Sequence, residues 1–134
     1  MENPSEITLS VVDERQWPIL VIRPPAEYDN QVHREWLDYV GTVYARRKEP
    51  YALVIDAREC ARPNAVQRRE ENEFRVKHEE HVKQYCRGTA FVIASSVMAG
   101  VITAIFWFKR PDTAHRSFSD IDAAFEWVKQ QLEG

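Results

Sequence analysis

A chain of 134 residues has the length of one ordinary domain, enough to bury a single core and too short for two. Apolar residues make up 44% and charged ones 29%, which excludes a disordered chain because there is enough aliphatic surface to offset the entropy of ordering. A formal net charge of -3 argues against nucleic acid as a partner, since binding to a phosphate backbone is driven by concentrated lysine and arginine.

The first residues, Met1, Glu2, Asn3, Pro4, Ser5 and Glu6, carry acids and no apolar run, so no signal peptide and a cytoplasmic location are expected. Residues 7–12 alternate weakly, Asp13, Glu14, Arg15 and Gln16 resemble a turn, and Ile19, Leu20, Val21 and Ile22 form an apolar run after Pro18. Two strands joined by a hairpin are predicted. Val32, Trp36, Leu37, Val40, Val43 and Tyr44 then recur at the spacing of one helical face, with Asp29 as N-cap and with Lys48 and Pro50 marking the end.

Tyr51, Ala52, Leu53, Val54, Ile55 and Asp56 read as a strand buried on both faces and closed by a carboxylate. Residues 64–85 are predicted to form one long, mostly solvated helix, in which Asn64 and Gln67 stand at capping-box spacing and Gly88 follows the end. Its apolar stripe, Phe74, His78, His81, Val82 and Tyr85, is confined to the second half. Residues 89–94 read as another buried strand and Ser95 and Ser96 as the next cap.

Residues 97–108 are apolar all round if helical, which predicts burial on two sides. The nearly uncharged stretch 88–108 is broken by Ser95, Ser96, Gly100 and Thr103, and no membrane span is expected. Residues 114–118 suggest an edge strand. Ser119 and Asp122 have capping-box spacing ahead of a helix whose stripe is Ile121, Ala124, Phe125, Val128 and Leu132. The expectation is one α/β domain over residues 1–134, with a mixed, mostly parallel sheet of four or five strands and about four helices.

Leu53, Val54, Ile55 and Asp56 stand before a long helix, Phe91, Val92 and Ile93 form the next strand, and residues 118–128 close the chain. This order resembles the STAS domain and its SpoIIAA-like relatives over residues 7–132. The resemblance implies a regulatory or binding module. Anti-sigma antagonists of that family bind a kinase partner and are switched by phosphorylation of a serine at the start of the second helix. Here Arg62, Pro63, Asn64 and Ala65 occupy that place, and the nearest serine or threonine residues are Thr42 and Thr89, so the switch does not carry over.

His78 and His81 are three apart but do not make the HExxH zinc motif, and packing beside Phe74 and Tyr85 is the favoured reading. Cys60 and Cys86 lack CxxC spacing and are expected at opposite ends of the sheet, unbridged. No metal or cofactor is expected, and no catalytic residue is singled out. Ligands of open α/β sheets favour the carboxyl ends of parallel strands, where helix N-termini offer free amides. That edge should gather Asp56, Ala57, Arg58, Asn64, Arg68, Ser95 and Ser96, a set suited to a small anionic ligand.

The favoured function is a non-enzymatic regulatory or ligand-binding module. The alternative is an enzyme or carrier for a small acidic metabolite at the same strand ends. Ala104, Trp107 and Phe108 exceed what one core-facing stripe requires, so a homodimer or protein partner is expected to cover them.

Overall fold

The computed structural model describes residues 5–59, 62–94 and 113–134. Within them the elements are α1 (Glu6–Val11), β1 (Val12–Asp13), β2 (Ile19–Ile22), α2 (Asn30–Arg46), β3 (Tyr51–Asp56), α3 (Ala65–Lys77), α4 (Glu79–Tyr85), β4 (Cys86–Val92), β5 (His115–Phe118) and α5 (Ile121–Glu133). The strands make one five-stranded sheet in the order β1-β2-β3-β4-β5. β1 runs antiparallel to β2 at one edge, and the other three pairings are parallel. The expected runs therefore do lie side by side and parallel, with Val54 opposite Ala90 and Asp56 opposite Val92.

Side chains alternate across a strand, and here the two faces differ in size. Leu20, Tyr51, Leu53 and Cys86 face one core, shared with Val11 of α1 and with Trp36, Leu37, Val40, Val43 and Tyr44 of α2. Phe74, Val82 and Tyr85 of α3 and α4 pack on its margin. Ile19, Val21, Ala52, Val54, Ala90 and Val92 face the other, which Ala124 and Val128 of α5 complete. Three alanines on that side let α5 lie close to the sheet. Gly88 serves the same close approach, since a Cβ there would stand 3.1 Å from Gln131 Cγ and 3.4 Å from Trp127 Cη2.

Four expectations need correction. Residues 7–11 are helical, not extended: Ser5 caps the turn by accepting from the Thr8 amide at 3.2 Å, and the buried residues are Thr8 and Val11, three apart, while Ile7 and Leu9 point outward. The segment after Asn64 is two helices, because His78 (φ -104°, ψ 13°) ends α3 and opens α4. Gly88 lies inside β4 rather than beyond a helix. The cap of α5 is Asp120, not Ser119; its carboxylate accepts from the amides of Asp122 at 3.4 Å and Ala123 at 3.2 Å.

Other local readings hold as made. Asp29 caps α2 by accepting from Val32 N at 2.8 Å. Asn64 and Gln67 form a reciprocal capping box, with Gln67 N donating to Asn64 Oδ1 at 2.8 Å and Asn64 N donating to Gln67 Oε1 at 3.1 Å. The helix expected over 97–108, together with Ser95, Ser96, Ala104, Trp107 and Phe108, lies outside the described residues, as does Cys60. Cys86 is buried and unbridged. No helix of the described residues is long and apolar enough to cross a membrane.

Candidate functional site

β3 ends on Asp56, whose exit turn is held by its own carboxylate. Arg58 donates to it three times: from its backbone N at 3.3 Å to Oδ1, from Nε at 2.8 Å to Oδ1 and from Nη2 at 2.8 Å to Oδ2. This forked geometry is the strong form of a carboxylate–guanidinium contact. The hydrogen bond from Arg58 is the main reason that the Asp56 carboxyl is held below the usual carboxylate range, against the opposing effect of burial; Arg23 adds a smaller attraction. The aspartate side chain is 9% exposed and the arginine 42%. Two of the five guanidinium N–H groups are thus used, and no other acceptor for Arg58 is present among the described residues.

The same Asp-x-Arg arrangement recurs at the end of β1. Arg15 donates to Asp13 from its backbone N at 2.9 Å, from Nε at 3.0 Å and from Nη2 at 2.9 Å. Arg23 adds a bond at 3.0 Å to the same carboxylate. Asp13 is almost completely enclosed, and these arginines hold its carboxyl well below the usual range.

At the head of α3, Asn64 does more than cap. Its Nδ2 donates to Asn30 Oδ1 at 2.9 Å, and Gln67 Nε2 reaches the same oxygen at 3.2 Å, tying the first turns of α2 and α3 together. Arg68 folds back toward the Pro63 carbonyl at 3.4 Å. The capping box uses the Asn64 and Gln67 amides; those of Ala65 and Val66, in the first turn, have no intrahelical acceptor. Asp56 with Arg58, and Asn64 with Arg68, thus form two local sets, and no bond among the described residues joins one set to the other.

Position 33 was not singled out from the sequence, although it stands three before Trp36 and four before Leu37 on the α2 stripe. His33 is 1% exposed. Its Nε2 meets Glu71 Oε1 at 3.2 Å, its Nδ1 is enclosed without a partner, and the rings of Tyr28 and Trp36 flank it at 6.0 and 5.0 Å. The predicted packing of His78 and His81 is present: His78 lies 4.3 Å from Phe74 and His81 4.4 Å from Tyr44, centroid to centroid. Among the described residues no group of three or more histidine, cysteine or carboxylate side chains is placed to hold a metal ion.

An open groove of about 310 Å³ runs between α2 and α3, floored by Leu37 and Phe74. Its charges alternate: Arg34, Arg69 and Lys77 against Asp38, Glu70 and Glu73. Arg34 is clamped on Glu70 at 2.8 to 3.0 Å, so this wall is neutralised from within. The groove has no preferred sign for a ligand, whereas in the turn after β3 the Asp56–Arg58 fork leaves three guanidinium N–H groups without an acceptor among the described residues.

The sequence matches no family model and no curated protein. Among solved structures, the chain is similar to an uncharacterised protein of the DUF3478 family with a SpoIIAA-like fold from Shewanella loihica, at 14% identity and a TM-score of 0.67. That likeness covers 87% of this chain and 90% of the other. The sheet order, the antiparallel edge and the helices on both faces are therefore those of a SpoIIAA-like fold.

Proposed function

We propose that this SpoIIAA-like domain is a non-enzymatic regulatory or ligand-binding module, and that it takes a small anionic ligand at the carboxyl ends of its parallel strands. Arg58, Asn64, Arg68, Ser95 and Ser96 make the contacts, and Asp56 fixes the guanidinium of Arg58. The observation that carries this reading is the Asp56–Arg58 fork, which immobilises an arginine while leaving part of its donor set toward solvent. A guanidinium held in one orientation binds a planar or tetrahedral anion with less loss of side-chain freedom than a mobile one. The Asp56 carboxyl, held ionised by its partner, has no proton to give near neutral pH, which favours binding over acid catalysis.

Inorganic phosphate is the simplest probe. It should raise the thermal midpoint of the wild type in a concentration-dependent manner. The shift should be largely lost in Arg58→Gln and reduced in Arg68→Gln, each compared with its own phosphate-free baseline. Equal shifts in all three proteins refute the site. The same reading includes a homodimer that covers Ala104, Trp107 and Phe108, supported by the excess of apolar side chains in that part of the sequence. Sedimentation should show a dimer for the wild type and a monomer for Trp107→Glu; a monomeric wild type, or a dimer that survives the substitution, contradicts it.

A further inference from the structure

His78 and His81 occupy the seam where α3 and α4 meet the rest of the molecule. The His81 ring lies flat on Tyr44, with centroids 4.4 Å apart and planes at 24°, and it tilts against Tyr51 at 5.7 Å and Tyr85 at 4.9 Å. Its Nε2 is enclosed and has no hydrogen-bond partner. His78 packs on Phe74 and against the edge of Tyr44 at 5.5 Å. It also reaches Gly41 of α2, where a Cβ would stand 3.5 Å from its Nε2. The backbone of His78 is itself the junction: its N–H closes α3 on the Phe74 carbonyl, and α4 starts there with no side-chain cap.

The groups facing this pair come from every neighbouring element. They are Tyr44 of α2, Tyr51 of β3, Tyr85 of α4, Lys77 of α3 and Lys48 beyond α2, with Cys86 of β4 acting on the two tyrosines behind them. Burial raises the Tyr44, Tyr51 and Cys86 groups above their ordinary values, so they stay neutral; Glu71 is felt at Tyr44. Among the described residues no carboxylate bonds either imidazole.

We propose that α4 is a latch that opens in mild acid: protonation of His78 and His81 places positive charge among aromatic rings and beside Lys48 and Lys77, and α4 then unwinds from α2 and β3 between the uncapped junction at His78 and its fixed end at Cys86. Its release uncovers the aromatic floor of Tyr44, Tyr51 and Phe74. Burial, chiefly, holds both imidazoles below their ordinary 6.5, with Lys77 opposing the charge at His78, and His78 and Lys48 opposing it at His81. The closed state is the one that refuses the proton. Its stability is therefore complete above the ordinary imidazole value and is lost as pH falls through the depressed ones. Attraction between an imidazolium and the Tyr44 face acts the other way, but it does not replace the hydration that an enclosed, unpaired N–H⁺ gives up.

Asp13 and Asp56 stay ionised because their arginines hold them low. His115 is exposed on β5, and His33 is bonded to Glu71 on another seam.

Amide hydrogen exchange on the full chain at about pH 7.5 and about pH 5, corrected for intrinsic rates, tests the latch. Protection of the 79–85 amides should fall by roughly tenfold or more relative to α2 in the wild type, and should not fall in His81→Phe. Unchanged wild-type protection overturns the proposal, as does an equal drop in the variant. If His81→Phe does not fold, the wild-type imidazole resonances decide. Titration of both rings below 6.5, together with the exchange change, supports the latch; titration at or above that value overturns it.

Discussion

Two glycines show how much a single position depends on what stands opposite it. Gly41 lies in the middle of α2, and a Cβ there would meet nothing closer than 3.5 Å, an ordinary contact with His78. Gly41→Ala should therefore stabilise the protein by about 0.5–1 kcal/mol through helix propensity and a less mobile unfolded chain. Gly88 faces Gln131 Cγ at 3.1 Å and Cβ at 3.3 Å, so Gly88→Ala makes the Gln131 side chain give way between α5 and the sheet and should cost about 1–3 kcal/mol. Urea midpoints of the two variants should move in opposite directions at unchanged m-value. Equal or same-sign shifts contradict this packing. Capping residues at this scale were legible in the sequence, because Asn64 and Gln67 signal their bonds by spacing alone. His33 was not, because a histidine among aliphatic positions reads as a polar interruption until its neighbours Tyr28 and Trp36 are seen around it.

Among the elements, α5 and α1 mark the two extremes of legibility. Ile121, Ala124, Phe125, Val128 and Leu132 repeat with helical period over a full-length helix, and all of them pack on the second core. Val128 is completely enclosed there. Val128→Ala should cost about 2–3 kcal/mol, the transfer of two methyl groups plus the cavity they leave, read as a lower urea midpoint. A loss below about 0.5 kcal/mol indicates that α5 is not seated as described. In α1 the alternation of Ile7, Leu9 and Val11 matched a strand, yet six residues are too few for period alone to separate helix from strand. The Ser5 cap and the burial of Thr8 decide it. The break at His78 escaped the sequence reading for another reason: no proline or glycine stands there, and the apolar spacing runs through it unchanged.

At the scale of the whole molecule, the parallel centre of the sheet was readable because residues 51–56 and 89–92 are buried on both faces and so are almost wholly apolar, whereas the first residues of β4, with the exposed Arg87 and with Gly88, gave no such signal. The candidate site was only half readable. Sequence reasoning named Asp56 and Arg58 as neighbours at a strand end, but the fork that joins them depends on the exit turn of β3. Carboxylate–arginine pairs also set the acid behaviour. Asp13 and Asp56 bind protons less readily folded than unfolded, so their contribution is present above the ordinary carboxylate value and is lost as pH falls through the lowered ones. Stability should decline by about 1–3 kcal/mol between about pH 4 and about pH 2, measured by urea unfolding, and the decline should shrink in Asp13→Asn. An identical decline in that variant contradicts the assignment.

The central claim is that the carboxyl ends of the strands bind an anion through a fixed Arg58. Amide chemical-shift mapping during a titration with inorganic phosphate tests it most directly. The account predicts saturable shifts concentrated between Asp56 and Arg68 and at Ser95 and Ser96, which disappear in Arg58→Gln. Shifts that never saturate, that gather instead along the α2–α3 groove, or that persist unchanged in the variant contradict it.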